Sequence, residues 1–173
     1  MAVSSRLREF VKELLFFLAA FALLSWGINA WRAPDLPGSS LPALRGETLE
    51  GVPAERSRVA GRPFLLHFWG SWCPVCRQEA SNIERIAKSF PTLTVAVQSG
   101  DDRKVLRWMR ERGLHFPVLN DPEGRLASRF GIGIYPTTLI YDGNGRLRFA
   151  ETGYTTTLGL WLRLRWAEWT DGE

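Results

Sequence analysis

Short apolar runs alternate with longer amphipathic stretches through most of the chain, a pattern typical of strands interleaved with helices. The run from Phe64 to Trp69 has the length and composition of a buried strand. From about Pro74 to Phe90 the apolar positions recur on one face of a helix. A turn of sequence Asp-Gly-Asn-Gly at 142–145, between two further strand-like stretches, predicts a β-hairpin.

The remaining elements follow from the same periodicities. The other strands are expected at 93–98, 116–119, 137–141 and 146–151. The other helices are expected at 102–112, 124–130 and 158–169. A short amino-terminal hairpin is expected at 44–52. Because helices separate most of the strands, the pattern predicts an α/β fold whose sheet is partly parallel and ends in an antiparallel hairpin.

The amino-terminal segment from Leu14 to Trp31 contains no charged residue. A helix of this length spans roughly 27 Å, close to the ~30 Å hydrocarbon core of a bilayer. More basic residues precede the segment than follow it closely, so the amino terminus is expected inside the cell. We therefore expect a single-pass anchor in the bacterial cytoplasmic (inner) membrane, with the domain on the periplasmic or extracytoplasmic side. The expected division is 1–13 cytoplasmic, 14–31 transmembrane, 32–41 linker and 42–173 domain.

Two other interpretations of this segment stay open in the sequence. Cleavage of a signal peptide after Ala30 would also export the domain, although Ile28 is not the small residue that such a site prefers. A buried helix of a soluble domain is the third interpretation. The proline- and glycine-containing stretch that follows is typical of a linker.

Composition narrows the class of protein. The chain has 173 residues, 45% of them hydrophobic, which is enough for one domain with a core. Its net charge of +4 comes without a basic block or an arginine stripe with interleaved aromatic residues, so no nucleic-acid partner is expected. The two cysteines are too close in sequence to staple a large loop, and a disulfide between them is better explained by chemistry than by stability.

The two cysteines belong to the sequence Cys73-Pro74-Val75-Cys76, where a predicted strand ends and a helix begins. Unpaired N–H groups and the positive end of the helix dipole meet there and favour a thiolate at Cys73. Pro74 is tolerated at the first helical position, where its missing N–H costs nothing. We expect Cys73 to be a solvent-accessible nucleophile and Cys76 the resolving cysteine, with a redox-active disulfide and no other cofactor.

In this context the chain resembles the thioredoxin superfamily. Trp69 and Trp72 stand where that family keeps aromatic residues beside its active site, and Tyr135-Pro136-Thr137 matches its cis-proline loop. The resemblance implies a thioredoxin-like fold, with a central mixed sheet flanked by helices. It also implies that the proline loop packs against the cysteines and offers backbone groups to a substrate strand.

The predicted helix and strand between Asp102 and Leu119 look like the central insertion of the exported, TlpA-like branch of the superfamily. The Trp-Cys-Pro-Val-Cys-Arg string and the amino-terminal anchor are most like the suppressor-of-copper-sensitivity D proteins. Glu79 matches a glutamate common in this branch; it either tunes the pKa of the active site or is a simple solvated helix residue. The resemblance covers about residues 36–170. It implies protein substrates with disulfides or thiols and a membrane thiol reductase that recharges the pair as a reductant.

One position departs from thioredoxin, because His67 stands where that family has a buried aspartate that assists proton transfer with the second cysteine. A histidine can shuttle protons near neutral pH and can stabilise a nearby thiolate, so we expect His67 to modulate the site. The alternative is a packed core histidine whose ring nitrogens are hydrogen-bonded by backbone groups.

Two other functions compete with disulfide exchange. A copper-binding module could use the two thiolates because copper(I) accepts two sulfur ligands, whereas zinc wants four ligands that this chain does not offer. A peroxiredoxin would need proline at position 66 and threonine or serine at position 70, where this chain has Leu66 and Gly70. The sequence therefore predicts a protein thiol-disulfide oxidoreductase with no metal in its site.

Overall fold

The computed structural model describes residues 8–17, 19–20, 23–24, 27 and 38–170, apart from the side chain of Arg56. The chain divides into two units, residues 1–33 and residues 34–173. Among the described residues, no helix has the length and apolar character needed to cross a membrane. Half of the predicted anchor at 14–31 and the first part of the predicted linker at 32–41 lie outside the described residues.

The larger unit follows the predicted alternation of strands and helices. A 3₁₀ turn at Ala54–Ser57 precedes the first strand. The strands are β1 (Phe64–Trp69), β2 (Thr92–Val97), β3 (Val118–Asp121), β4 (Thr137–Tyr141) and β5 (Leu147–Thr152). The α-helices are α1 (Pro74–Ala87), α2 (Asp102–Arg110), α3 (Arg125–Arg129) and α4 (Thr157–Trp169).

The five strands form one mixed sheet in the order β3-β2-β1-β4-β5. β1 pairs in parallel with β2, and β2 pairs in parallel with β3. β4 runs antiparallel to both of its neighbours. The predicted mixed α/β sheet is therefore confirmed, including its terminal hairpin.

Each face of the sheet has its own core cluster. Because side chains alternate along a strand, Leu65 and Trp69 of β1 face one way and Phe64, Leu66 and Phe68 face the other. The first two pack with residues of α1 and α4. The other three belong to a second cluster that includes residues of α3. With both faces covered, all of β1 is buried, which explains why every one of its residues except His67 is apolar.

Prolines explain where two elements depart from the prediction. The helix expected to reach Phe90 ends at Ala87, and Pro91 disfavours helical geometry in the residue before it. The strand expected at 116–119 lies at Val118–Asp121 instead. Pro117 has no N–H to donate to the sheet, so pairing begins after it.

The predicted amino-terminal hairpin at 44–52 is wrong. In this described stretch the ladder is reduced to one isolated bridge between Glu47 and Pro53. Pro53 cannot donate a further ladder hydrogen bond, and the chain enters the 3₁₀ turn directly after it.

The sheet has two ends that matter for function. At one end β1 finishes at Trp69, α1 begins after Cys73, and β4 begins at Thr137 opposite Phe68. We call this the Cys73 end. At the opposite end, called the far end, β1 begins, β4 finishes and β5 begins. The cysteines and the proline loop therefore meet at one edge although they are far apart in sequence.

Candidate active site

Cys73 caps the amino terminus of α1, and Pro74 occupies the first turn as predicted. The Sγ atom of Cys73 accepts a hydrogen bond from the backbone N–H of Cys76, at 3.2 Å. This N–H and the positive end of the helix stabilise a negative charge on the sulfur, which is the physical requirement for a nucleophilic thiolate. The structure describes both cysteines as free thiols.

The expectation that Cys73 is freely accessible is wrong for this conformation, because the residue is only 5% exposed. Its Sγ–H points to the carbonyl oxygen of Tyr135, 3.6 Å away. Tyr135 also meets the ring of Trp72 edge-on, at a centroid distance of 5.6 Å. Trp72, next to Cys73 in sequence, is 49% exposed.

Cys76 lies one helical turn further on and is 2% exposed. Burial, reinforced by the hydrogen bond with Cys73, raises the pKa of the Cys76 thiol well above its usual range. A thiol in this condition keeps its proton at neutral pH. If Cys76 is to attack a mixed disulfide, a neighbouring group has to take that proton.

Glu79 is such a neighbour, since it lies three residues after Cys76 on the same helix face. Its side chain is fully buried, and Oε1 accepts a hydrogen bond from the backbone N–H of Thr155 at 2.9 Å. Oε2 has no hydrogen-bond partner among the described residues. Burial raises the pKa of Glu79 to about 8. The interpretation of Glu79 as a solvated helix residue is therefore wrong.

His67 is also buried, on the face of β1 that carries Leu65 and Trp69. Its Nδ1 lies 2.9 Å from Thr138 Oγ1 on the neighbouring strand, so its described partner is a hydroxyl and not a backbone group. Burial lowers the pKa of His67 to about 3. The ring is neutral at physiological pH, which argues against both a proton shuttle near neutral pH and a charged imidazolium beside the thiolate.

The proline loop has the predicted geometry, because the Tyr135–Pro136 peptide bond is cis. Thr137 fixes the loop through its hydroxyl, which donates to the carbonyl oxygen of Ile134 at 2.8 Å. The carbonyl of Pro136 accepts the N–H of Gly153 at 2.8 Å. These bonds hold the Tyr135 carbonyl against the Cys73 sulfur.

The loop before Cys73 is held by a residue that the sequence did not reveal. Ser99, at the carboxyl end of β2, accepts the backbone N–H of Ser71 at 2.9 Å. The indole N–H of Trp72 donates to the carbonyl oxygen of Val97 at 3.2 Å. Gly70 leaves room for this indole, because a Cβ there would lie 2.6 Å from the ring. Thr155, which binds Glu79, was missed as well; neither residue belongs to a recognisable motif.

A metal site would need several His, Cys, Asp or Glu side chains close together among the described residues. No group of three or more His, Cys, Asp and Glu side chains among them is arranged to hold a metal ion. The site described above consists of two thiols, a buried carboxyl group and hydrogen-bonding backbone groups.

A mixed sheet with a Cys-x-x-Cys pair at the start of a helix, facing a cis-proline loop, defines a thioredoxin-fold thiol-disulfide oxidoreductase. The chain belongs to the AhpC/TSA family, whose model matches residues 37–150. It is 33% identical to the thiol:disulfide interchange protein DsbE of Xylella fastidiosa, over 81% of this chain and 73% of that protein. It is 29% identical to a thioredoxin-like protein of Haemophilus influenzae, over 94% of this chain and 98% of that protein.

The fold also has solved counterparts. A secreted disulfide oxidoreductase of Mycobacterium tuberculosis superposes with a TM-score of 0.59 and 27% sequence identity. The match covers 69% of this chain and 92% of that chain. A domain of this size and shape thus makes up almost the whole of that solved chain.

Proposed function

We propose that Cys73 and Cys76 exchange disulfides with protein substrates, with Cys73 as nucleophile and Cys76 as resolving cysteine. The observation that carries this assignment is the hydrogen bond from the Cys76 N–H to Cys73 Sγ at the start of α1. It stabilises charge on Cys73, whereas burial keeps Cys76 protonated until it is needed. The two thiols are therefore unequal, as the two roles require.

The reaction proceeds in two displacements. The Cys73 thiolate attacks one sulfur of a substrate disulfide, so that a Cys73–substrate bond forms and the second substrate sulfur leaves as a thiolate. Cys76 then loses its proton and attacks Cys73 Sγ, which forms the Cys73–Cys76 disulfide and releases the first substrate sulfur. Two electrons pass from the protein dithiol to the substrate, and the released thiolates take up protons.

Glu79 is the group that takes the proton of Cys76 in this scheme. Its ionised form contributes to the raised pKa of the Cys76 thiol, after the larger effects of burial and the hydrogen bond with Cys73. A carboxyl group with a pKa of about 8 can both accept and return a proton near neutral pH. His67 serves as a buried packing residue of β1 that contacts Thr138, while Trp72, Tyr135, Pro136 and Thr137 shape the place where a substrate strand lies.

For direction, we favour a reductant that is recharged by a membrane thiol reductase, as expected from the TlpA-like resemblance. The direction depends on the reduction potential of the pair relative to its compartment. A list of trapped substrates would distinguish a reductant from an oxidant, because it identifies which proteins the pair meets.

Replacing Cys76 by serine in the full chain tests this assignment. Without a resolving thiol, Cys73 is expected to remain joined to its substrates as mixed disulfides. These should appear as higher bands on non-reducing gels and collapse when dithiothreitol is added. The matched control is the double variant Cys73→Ser/Cys76→Ser, which should capture nothing. Equal capture by both variants, or by neither, would contradict the assigned roles.

We further propose that residues 14–31 anchor the domain outside the cytoplasmic membrane. The support is the uncharged length of the segment and the excess of basic residues before it. The full chain expressed in a Gram-negative host should stay in the membrane fraction after an alkaline carbonate wash, and external protease should digest its domain in spheroplasts. A mature chain that begins after Ala30 and washes off would instead indicate a cleaved signal peptide.

A further inference from the structure

Helix α4 has an apolar outer face that the domain leaves uncovered. Its inner face is formed by Leu160, Leu164 and Ala167, which are buried in the core. On the outer face, Trp166 is 56% exposed and Trp169 is 79% exposed, and their rings meet edge-on at 6.0 Å. Leu158, Trp161 and Leu162 continue this face towards the start of the helix and are exposed as well. Large aromatic side chains held in water in this way mark an interaction surface.

The two tryptophans lie at the far end of the sheet, away from Cys73. The carbonyl oxygen of Thr170, next to Trp169, accepts a hydrogen bond from Arg148 Nη2 at 3.2 Å. Arg148 is the second residue of β5, which begins at the far end. The carboxyl end of α4 is therefore fixed beside the first residues of β5.

Basic side chains collect at the same end. Arg62 precedes β1 and donates a hydrogen bond to the carbonyl oxygen of Ser89, just after α1. The start of β1 and the end of α1 therefore meet at the far end. The Arg165 guanidinium of α4 lies over the ring of Phe90, 5.5 Å from its centroid. Lys88, Arg146, Arg62 and Arg165 are all exposed. We call Trp166, Trp169 and these four basic residues the basal surface.

Two acidic side chains close to the basal surface are paired within the described part of the chain. Asp142 is buried and bound by Arg148 at 2.8 Å. Glu168 is bound by Arg165 at 2.7 Å. With Arg165 paired to Glu168, the basic residues of the surface that have no ion-pair partner among the described residues are Arg62, Lys88 and Arg146. Tryptophan beside arginine and lysine is the composition that favours the headgroup region of an anionic bilayer.

The segment that leads into the domain, around Ser39 and Ser40, also lies at the far end of the sheet. The carbonyl oxygen of Ser39 accepts the N–H of Leu147 at 2.6 Å, and Ser40 bridges to Arg146. If residues 14–31 are anchored as proposed above, fewer than ten residues connect the anchor to Ser39, a reach of at most about 30 Å. This reach depends on the proposed anchoring, whereas the composition of the basal surface does not.

We propose that the basal surface binds anionic lipid headgroups, with Trp166 and Trp169 inserted at the level of the headgroups and the basic residues facing lipid phosphates. Because Cys73 lies at the other end of the sheet, the bound domain keeps its redox site directed away from the lipid. The lipid surface thus orients the enzyme without covering its substrate site.

The test uses residues 34–173, a compact unit that contains the whole sheet and both core clusters. Flotation with vesicles of phosphatidylglycerol and phosphatidylcholine measures binding. We expect the unchanged domain to float with these vesicles, and at least tenfold weaker binding to vesicles of phosphatidylcholine alone. The double variant Trp166→Ser/Trp169→Ser should bind anionic vesicles at least tenfold more weakly. Trp72→Ser, an exposed tryptophan at the Cys73 end, is the matched control and should bind like the unchanged domain.

Two results would overturn the proposal: no flotation of the unchanged domain, or equal flotation of the double variant. Sedimentation velocity distinguishes lipid binding from self-association. If the unchanged domain forms a dimer that the double variant does not form, and neither binds lipid, the surface is the interface with a second copy of the chain. Insulin reduction by the double variant should be unchanged. A loss of vesicle binding with intact reduction therefore leaves the proposed redox function standing, and a failed reduction assay says nothing against lipid binding.

Discussion

Replacing Cys73 by serine should reduce disulfide exchange to the rate measured without protein. A hydroxyl at this position is not ionised at neutral pH and cannot form the mixed disulfide, while Cys76 is buried and keeps its proton. The measurement is insulin reduction with dithiothreitol as electron donor, over several turnovers. Serine also accepts a hydrogen bond from the Cys76 N–H, so the start of α1 should be preserved.

Two controls make this result specific. The melting temperature of Cys73→Ser should stay close to that of the unchanged protein, which separates lost chemistry from lost folding. Cys76→Ser should still release one equivalent of substrate thiolate in a single-turnover assay and then stop. Multiple turnover by Cys73→Ser would place the nucleophile elsewhere.

Replacing Glu79 by glutamine should slow the resolving step by about 10²-fold at pH 8, in the range typical of a lost general base. In the unchanged protein the carboxylate fraction rises through a pKa of about 8, so the rate at which Cys76 displaces a thiol bound to Cys73 should rise through the same pH. The variant should lack this inflection. Stopped-flow release of a chromophoric thiol from Cys73, between pH 6 and pH 10, measures both effects.

The same variant should change the pH dependence of stability. Unfolded Glu79 has a pKa near 4.5 and folded Glu79 near 8. Between these values the unfolded chain has lost a proton that the folded chain still holds, so this group makes the folded state progressively less stable as the pH rises. The loss is on the order of a few kcal/mol by pH 9. Glutamine cannot ionise, and its amide oxygen can still accept the N–H of Thr155.

We therefore expect urea denaturation to give a free energy of unfolding that favours Glu79→Gln increasingly from pH 5 to pH 8 and levels off above. Glu111→Gln, at an exposed carboxylate after α2, is the matched control and should follow the unchanged protein. A constant difference between Glu79→Gln and the unchanged protein across this range would show that Glu79 does not titrate inside the fold.

Several parts of this architecture could be predicted because their signals are local. The bounds of β1 could be predicted because a strand buried on both faces is mostly apolar, and here every residue but His67 is. β4 was located equally well. The start of α1 follows from Pro74 and the capping position of Cys73, and the last hairpin follows from its Asp-Gly-Asn-Gly turn.

Boundaries and the amino-terminal hairpin were less predictable. The hairpin predicted at 44–52 does not form, because neighbouring prolines and the 3₁₀ turn limit pairing to one bridge. A strand forms only where a partner strand is available, and that partner cannot be read from the stretch itself.

The sequence by itself determined the fold class and the identity of the redox pair, because an apolar strand that leads into Cys73-Pro74-Val75-Cys76 at a helix start is a local arrangement. Only the tertiary structure decided the burial, the hydrogen-bond partners and the protonation states of the groups around that pair. The partners of Glu79, His67 and Ser71 are Thr155, Thr138 and Ser99, which lie 76, 71 and 28 residues away in sequence. Burial by such distant segments keeps the His67 imidazole neutral and raises the pKa of the Glu79 carboxyl group towards physiological pH. No short stretch of sequence encodes this burial.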